Sequence, residues 1–262
     1  MNSPFLLKLL NDYPKSRIPL PDEIQAIYAL HYHKNRGGQT VATSIGQKME
    51  RWLHKKVAAD VIFSPNLKNQ AEITTLEIGA GSLNQLPYEP VVGPYDIIEP
   101  FSELFQNNAD LARIRSIFED INDLPRENKY DRITSIAALE HIINLPYLIA
   151  KCCSHMNHGG AFLAAIPNEG TFLWTLGWKL TTAIEFRLKY GQDYGLLMAH
   201  EHVNTAKEIR EILQYFFTSV KIKSFGLNQK IAFYLFFDCR EPNLERVNYF
   251  LKLYEDRKIA SN

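Results

Sequence analysis

Between Thr74 and Ser82 the chain reads Thr-Thr-Leu-Glu-Ile-Gly-Ala-Gly-Ser, and no other stretch constrains the fold as much. A polar lead-in, Asn69-Gln-Ala-Glu72, gives way to Ile73, Leu76 and Ile78, then to two glycines one residue apart. Such a run predicts a buried parallel strand ending in a tight turn where backbone meets ligand. Gly79 can take a dihedral closed to other residues, and Gly81 leaves room for close approach to the main chain. A tight strand-to-helix turn can also need glycines without binding anything, so the ligand must be argued separately.

Two adenosine ligands compete for this turn. A dinucleotide fingerprint asks for a third small residue, so that helix and strand close around a pyrophosphate. Here that position is Asn84, and Pro87 soon interrupts any long phosphate-facing helix. Glu77, two residues before the first glycine, would also repel a pyrophosphate. The run Leu76-Glu-Ile-Gly-Ala-Gly81 instead resembles motif I of the class I S-adenosylmethionine-dependent methyltransferases, whose cofactor carries a sulfonium and an ammonium that suit a nearby carboxylate. The resemblance runs from Thr74 to about Asn168. It implies an α/β fold with a Rossmann-like seven-stranded sheet, mostly parallel with an antiparallel edge strand, and S-adenosylmethionine as cofactor.

Tyr95-Asp-Ile-Ile-Glu99 predicts a second strand ending in an acid placed to accept the ribose hydroxyls of adenosine. Glu99-Pro100 could equally cap a helix over Phe101 to Leu111. Arg115 to Phe118 reads as a third strand. Beyond it the resemblance gives Asp120 the adenine amino group and Ile121 the ring face, although Asp120 could be a plain turn residue. Lys129 to Ile136 reads as the fourth strand and is similar to the family's motif IV, which adds Ser135 to a cofactor set of Glu77, Gly79, Ala80, Gly81, Glu99, Pro100, Asp120 and Ile121.

Glu140-His141 follows at the rim facing the methyl group. His141 could take a proton from an attacking hydroxyl, or merely hold the loop backbone. A helix from Leu145 to Met156, stopped by His158-Gly-Gly160, and a strand from Ala161 to Ile166 complete the alternation. Asn168 closes that strand on the ligand side. The aromatic segment 171–204 reads as an acceptor cap carrying Arg187 and Tyr190, or as a helical pair that simply buries its rings. In His200-Glu-His-Val-Asn-Thr205, two histidines one residue apart hint at a metal, but no third ligand cluster stands nearby in sequence, so no metal is assigned. His202, just before the capping box Thr205-Ala-Lys-Glu208, is the foremost base, with His141 second and His200 its neighbour in the acceptor set.

Segment 1–70 reads as an N-terminal helical cover, 71–170 as the cofactor core, and 205–262 as a closing helix, strand pair and final helix, all in one domain. The stripe Ile45, Met49, Trp52, Leu53, Val57 and Val61 predicts a helix packed on the sheet, while His33, Arg36, Arg51 and His54 are candidates to face the site. The 29 basic and 29 acidic residues cancel, which disfavours nucleic acid as a partner. Three cysteines without a metal or disulfide pattern, no stretch of roughly 18 apolar residues and no secretion signal point to a cytoplasmic location, while the methyltransferase resemblance implies an enzyme acting on a small molecule. Leu20-Pro-Asp-Glu23, with Tyr28, Asn35-Arg-Gly37 and Trp52-Leu-His-Lys-Lys-Val-Ala58, resembles methyltransferases encoded with bacterial surface-polysaccharide enzymes. That implies a sugar, nucleotide sugar or phosphorylated polar acceptor; a quinone, lipid or aromatic acceptor, or a silent binding module, stays open. Nothing in the sequence sets the oligomeric state.

Overall fold

Thr75–Ile78 (β1) and Tyr95–Ile98 (β2) are buried at every residue, as strands covered on both faces of a parallel sheet must be. The computed structural model describes residues 4–25, 27–28, 44–63, 70–90, 93–180 and 182–260. β1 lies between β2 and Tyr130–Ile136 (β4), with Ile78 level with Ile98 and Ser135. Ser116–Phe118 (β3) flanks β2, and Met156–Pro167 (β5) runs parallel to β4. Ala232–Pro242 (β7) is antiparallel both to β5 and to the edge strand Phe217–Gly226 (β6). The order β3-β2-β1-β4-β5-β7-β6 is the expected seven-stranded sheet, and its reversing strand lies one place in from the edge. Strand order turns back between β1 and β4, and there a crevice opens at the strand carboxyl ends.

Alternation along β5 assembles the core. Phe162, Ala164 and Ile166 face a large cluster built with Pro4–Asn11 (α1), Leu145–Ser154 (α3), Ala206–Phe216 (α7) and Leu244–Ala260 (α8). Ala161, Leu163 and Ala165 face Leu53 and Val57 of Ser44–Phe63 (α2). Of the predicted stripe, Leu53, Val57 and Val61 are buried and Trp52 partly so, while Arg51 and Lys55 stay exposed. Arg132 of β4, fully buried, ties α2 to the sheet through the Val57 carbonyl at 3.2 Å and both oxygens of Glu89 at 3.1 Å. The Thr205–Glu208 capping box forms as read, each side chain accepting the other residue's backbone N–H.

Three local expectations change. The helix over 101–111 is replaced by two short 3₁₀ turns, Ser102–Leu104 and Ala109–Arg113. Asn108 accepts from Asp110 N at 2.8 Å and donates to the Ser82 carbonyl at 2.7 Å, so it restarts the chain where a helix would continue. β5 begins at Met156, which puts His158-Gly-Gly160 inside the strand rather than at a helix stop. A Cβ on Gly160 would meet the Asn157 and Asp131 carbonyls at 2.9 and 3.1 Å, where the β4–β5 register shifts; the glycine serves a bulge. The cap contains three helices: Phe172–Leu180 (α4), Thr182–Tyr190 (α5) and Tyr194–Glu201 (α6).

Candidate active site

β1 delivers its chain into a turn that only glycine permits. Gly79 has φ +69° and donates its N–H to the Ile98 carbonyl; a Cβ there would sit 2.5 Å from Ala138 Cβ. Gly81, at φ +53°, differs: its Cβ would meet nothing within 4 Å, so it faces open space. Glu99, at the end of β2, accepts from Gly81 N at 2.8 Å and from Phe101 N at 3.2 Å. One carboxylate thus stitches the two strand ends together and keeps lone pairs for a ligand hydroxyl.

The turn opens on a cavity of about 1120 Å³. Its floor holds Glu77, Gly79, Ala80, Gly81, Glu99, Pro100, Asp120 and Ile121, most of the predicted cofactor set on one continuous surface. Such a volume exceeds the roughly 300–1,000 Å³ of ordinary small-molecule pockets, enough for two reactants. Ser82 and Asn144 also line it. Among the described residues, the buried Ser82 Oγ and Asn144 Oδ1 have no hydrogen-bond partner. Polar atoms left so at a cavity wall fit a polar ligand. Ala137 adds a non-glycine residue at φ +49° between the turn and His141, a strained position that nothing in the sequence announces.

Three residues of the predicted cofactor set have structural partners. Burial pushes the Glu77 carboxyl up to about 8, although the Tyr95 hydroxyl donates to it at 2.7 Å. Asp120 Oδ1 accepts from Asn122 N and Nδ2 and starts a short 3₁₀ turn, the turn role that the sequence left open. Ser135 is corrected: its hydroxyl donates to the Ile78 carbonyl inside the sheet, at 3.3 Å, and it does not line the cavity.

The acceptor set scatters. Asn168 donates to the Gln229 and Ala232 carbonyls and pins the β6–β7 hairpin. Arg187 lies exposed on α5, Tyr190 packs on Phe186, and His200 Nδ1 sits 2.7 Å from the Ile18 carbonyl. None of these four lines the cavity, because each side chain is held elsewhere or faces outward. Further lining comes from Arg17, Tyr28, Glu50, His54, Tyr147 and Tyr254, of which only His54 was a candidate from the sequence. Of the cover candidates, His54 reaches this wall, hydrogen-bonded to Gln85 at 2.8 Å with its pKa lowered by burial. His33 and Arg36 fall outside the described residues.

The two histidines separate. His141 lines the cavity, and its Nδ1–H donates to the Glu201 carbonyl at 3.0 Å, so Nε2 is the ring nitrogen that this bond leaves free to meet a ligand. That Nε2 is 3.9 Å from Glu140 Oε1. Glu140 is buried and does not line the cavity, and its Oε2 has no hydrogen-bond partner among the described residues. His202 packs edge-on against His141, with centroids 4.8 Å apart, but borders a separate concavity beside Lys15 and Ile18. Its Nδ1 is 2.8 Å from Glu169 Oε2. Burial opposes protonation of His202, yet the Glu169 hydrogen bond and the charges of Glu140 and Glu201 outweigh it and raise the pKa. Of the two histidines, His141 and not His202 lines the cavity beside the glycine turn.

The sequence profile of the methyltransferase domain family matches residues 49–216, from within α2 to the end of α7. No curated protein matches. Among solved structures, a plantazolicin methyltransferase in complex with a triazolic desmethylPZN analogue and S-adenosylhomocysteine (SAH) is similar at 12% identity and TM-score 0.55, covering 90% of this chain and 99% of that one. A magnesium protoporphyrin IX methyltransferase from Synechocystis PCC 6803 with bound SAH is similar at 16% identity and TM-score 0.51, covering 84% of this chain and all of that one. These likenesses are of fold. The profile spans more than half of the sequence and takes in the glycine turn, Glu99, Asp120, His141 and the cap, so the chain belongs to the methyltransferase domain family, the class I S-adenosylmethionine-dependent methyltransferases.

Proposed function

We propose that this protein methylates a hydroxyl of a small polar acceptor, such as a sugar or nucleotide sugar, held between the glycine turn and the wall formed by Arg17, Tyr28 and His141. The observation that carries the reading is one cavity with unlike groups on its wall. At one end Glu99 and the open backbone of Gly81 suit an adenosine; elsewhere on the wall His141, its Nδ1 tied to the Glu201 carbonyl, offers Nε2 to an acceptor. S-adenosylmethionine supplies an activated methyl on a good leaving group. The chain's own work is then to align the acceptor, exclude water and remove one proton.

Glu99 accepts ribose hydroxyls, Ile121 offers an apolar face to the base, and Ser82 and Asn144 supply hydrogen bonds along the wall. His141 Nε2 takes the acceptor proton. The imidazolium so formed lies close to Glu140 and to the Glu201 carboxylate, 3.3 Å from Nδ1. Arg17 donates to the His200, Glu201 and His141 carbonyls, so its guanidinium is committed to backbone. An amphipathic acceptor, a quinone or lipid, is the second reading, favoured by the apolar residues exposed at the same end of the sheet.

Calorimetric titration with SAH tests the cofactor end: micromolar-class heat that disappears in Glu99→Ala supports it, and absent heat overturns it. Mass spectrometry of metabolite pools incubated with S-adenosylmethionine then identifies the acceptor. With that acceptor, His141→Asn should lower turnover by roughly 100-fold while SAH affinity holds.

A further inference from the structure

The carboxyl-end rim of the sheet carries apolar side chains that the fold does not cover. Pro167, the last residue of β5, pairs with Tyr234 near the start of β7, so the β6–β7 hairpin tip lies at the same end as the cavity. Asn168 clamps that tip from the strand just before α4, and the Trp174 ring meets Tyr234 edge-on. Hairpin tip and α4 are therefore neighbours. At the tip Leu227 is 88% exposed, and on α4 Phe172 is 80% exposed with Leu176 one turn behind it. On α5, packed against α4, Leu188 is 84% exposed and Ile184 lies one turn before it. Each helix thus turns an apolar i, i+4 pair outward; a Cβ on Gly177 of α4 would meet the Phe233 ring at 3.1 Å, and the buried Phe186 of α5 meets Tyr190 and Tyr194. Scattered apolar residues are ordinary on a surface; this density, on adjoining elements, marks a docking face.

Charge names the occupant. The chain as a whole is neutral, but from Ile212 to Phe237 it carries Lys221, Lys223 and Lys230 and no acidic residue. All three lysines are exposed. Helices α4 and α5 add Lys179, Arg187 and Lys189 against a single acid, Glu185. Cations beside exposed apolar and aromatic side chains match a surface that is anionic at the headgroups and apolar just beneath. No helix among the described residues is long and apolar enough to cross a bilayer, so the contact is peripheral.

We propose that this rim, formed by the β6–β7 hairpin tip and the outer faces of α4 and α5, docks the protein on an anionic lipid surface. Docking there brings the sheet end that holds the cavity toward the bilayer. The inference does not rest on methyl transfer.

Co-sedimentation of the full chain with vesicles of phosphatidylcholine, alone or mixed with phosphatidylglycerol, tests it. Binding should require phosphatidylglycerol and weaken as salt rises. Leu227→Asp and Leu188→Asp should each cut vesicle binding by roughly tenfold or more, and Lys223→Glu with Lys230→Glu should weaken it too. These side chains point to solvent, so circular dichroism and SAH calorimetry should be unchanged in every variant. Loss of SAH binding in the wild type would strike the cofactor assignment and leave the vesicle result standing. No co-sedimentation at low salt, or binding indifferent to these substitutions, overturns the proposal. So does a dimer in sedimentation velocity that Phe172→Asp dissolves, since the face would then belong to a second copy.

Discussion

Gly79 and Gly81 sit two residues apart, share a left-handed backbone, and do different jobs. Alanine at Gly79 would drive its Cβ into Ala138 at 2.5 Å and strain the backbone as well. Alanine at Gly81 meets open space and costs only the conformation, about 1–2 kcal/mol. Gly79→Ala should therefore lower the melting temperature and SAH affinity together. Gly81→Ala should lose SAH affinity while melting falls only a few degrees; equal melting losses would show that both glycines serve packing alone. Glu77 makes a separate prediction through pH. Its folded pKa of about 8 lies above the ordinary carboxylate range, so the folded state holds a proton that the unfolded chain releases. The stability this adds is complete below the unfolded pKa and is lost as pH rises through about 8. Glu77→Gln keeps the hydrogen-bonding shape without the charge. Its melting temperature relative to wild type should climb between about pH 5 and about pH 9; a flat difference would place the ionised carboxylate comfortably in the fold.

At the level of elements, the corner between α6 and α7 separates what local pattern reveals from what it hides. The Thr205–Glu208 box and the helix after it were legible because capping depends on residues three apart. The aim of His202 was not, because it depends on Glu169, which reaches the same corner from the end of β5. The same division runs through the site. β1, its turn and the place of Glu99 at the end of β2 were legible from spacing, whereas Arg17, Tyr147 and Tyr254 come to the cavity wall from remote segments. Asn168 and His200 were named for their places in the chain, and their side chains turned out to serve the hairpin and the N-terminal strap. Lost regularity had a local cause too: Asn108 replaces an expected helix by capping a turn. The His202–Glu169 pair yields a test with a definite sign. Its raised pKa means that the pair stabilises the fold fully below the ordinary histidine value of about 6.5 and stops doing so as pH climbs through the higher folded value. His202→Asn should be clearly destabilising near pH 6 and much less so near pH 9. A penalty independent of pH would reduce the pair to packing.

Across the whole molecule, the N-terminal segment performs two tasks in sequence. Leu9, Leu10 and Tyr13 are buried in the main core, and the Tyr13 hydroxyl donates to Asn204 Oδ1 at 2.5 Å. Lys15 bridges to Glu208 at 2.7 Å and also donates to the Val203 carbonyl. The chain then crosses to the cavity, where Arg17 gathers the carbonyls of His141, His200 and Glu201, and Tyr28 hydrogen-bonds the Glu201 carboxylate. Arg17 and Tyr28 both line the cavity wall. The first part is core and the second is a strap, so a single truncation would confuse them. Two point variants keep them apart. Leu9→Ala should cost about 2–5 kcal/mol through lost burial and a residual cavity, lowering the melting temperature by several degrees or more. At temperatures where it is folded, its SAH affinity should match wild type. Arg17→Ala leaves the core intact and removes three hydrogen bonds from partly exposed carbonyls, so melting should shift less. The corner carrying His141 would then be unfastened, and SAH should dissociate faster, because a strap that excludes water also slows ligand escape. If Arg17→Ala releases SAH at the wild-type rate, the strap holds the cap to the sheet without closing the cavity, and retention must come from the floor alone.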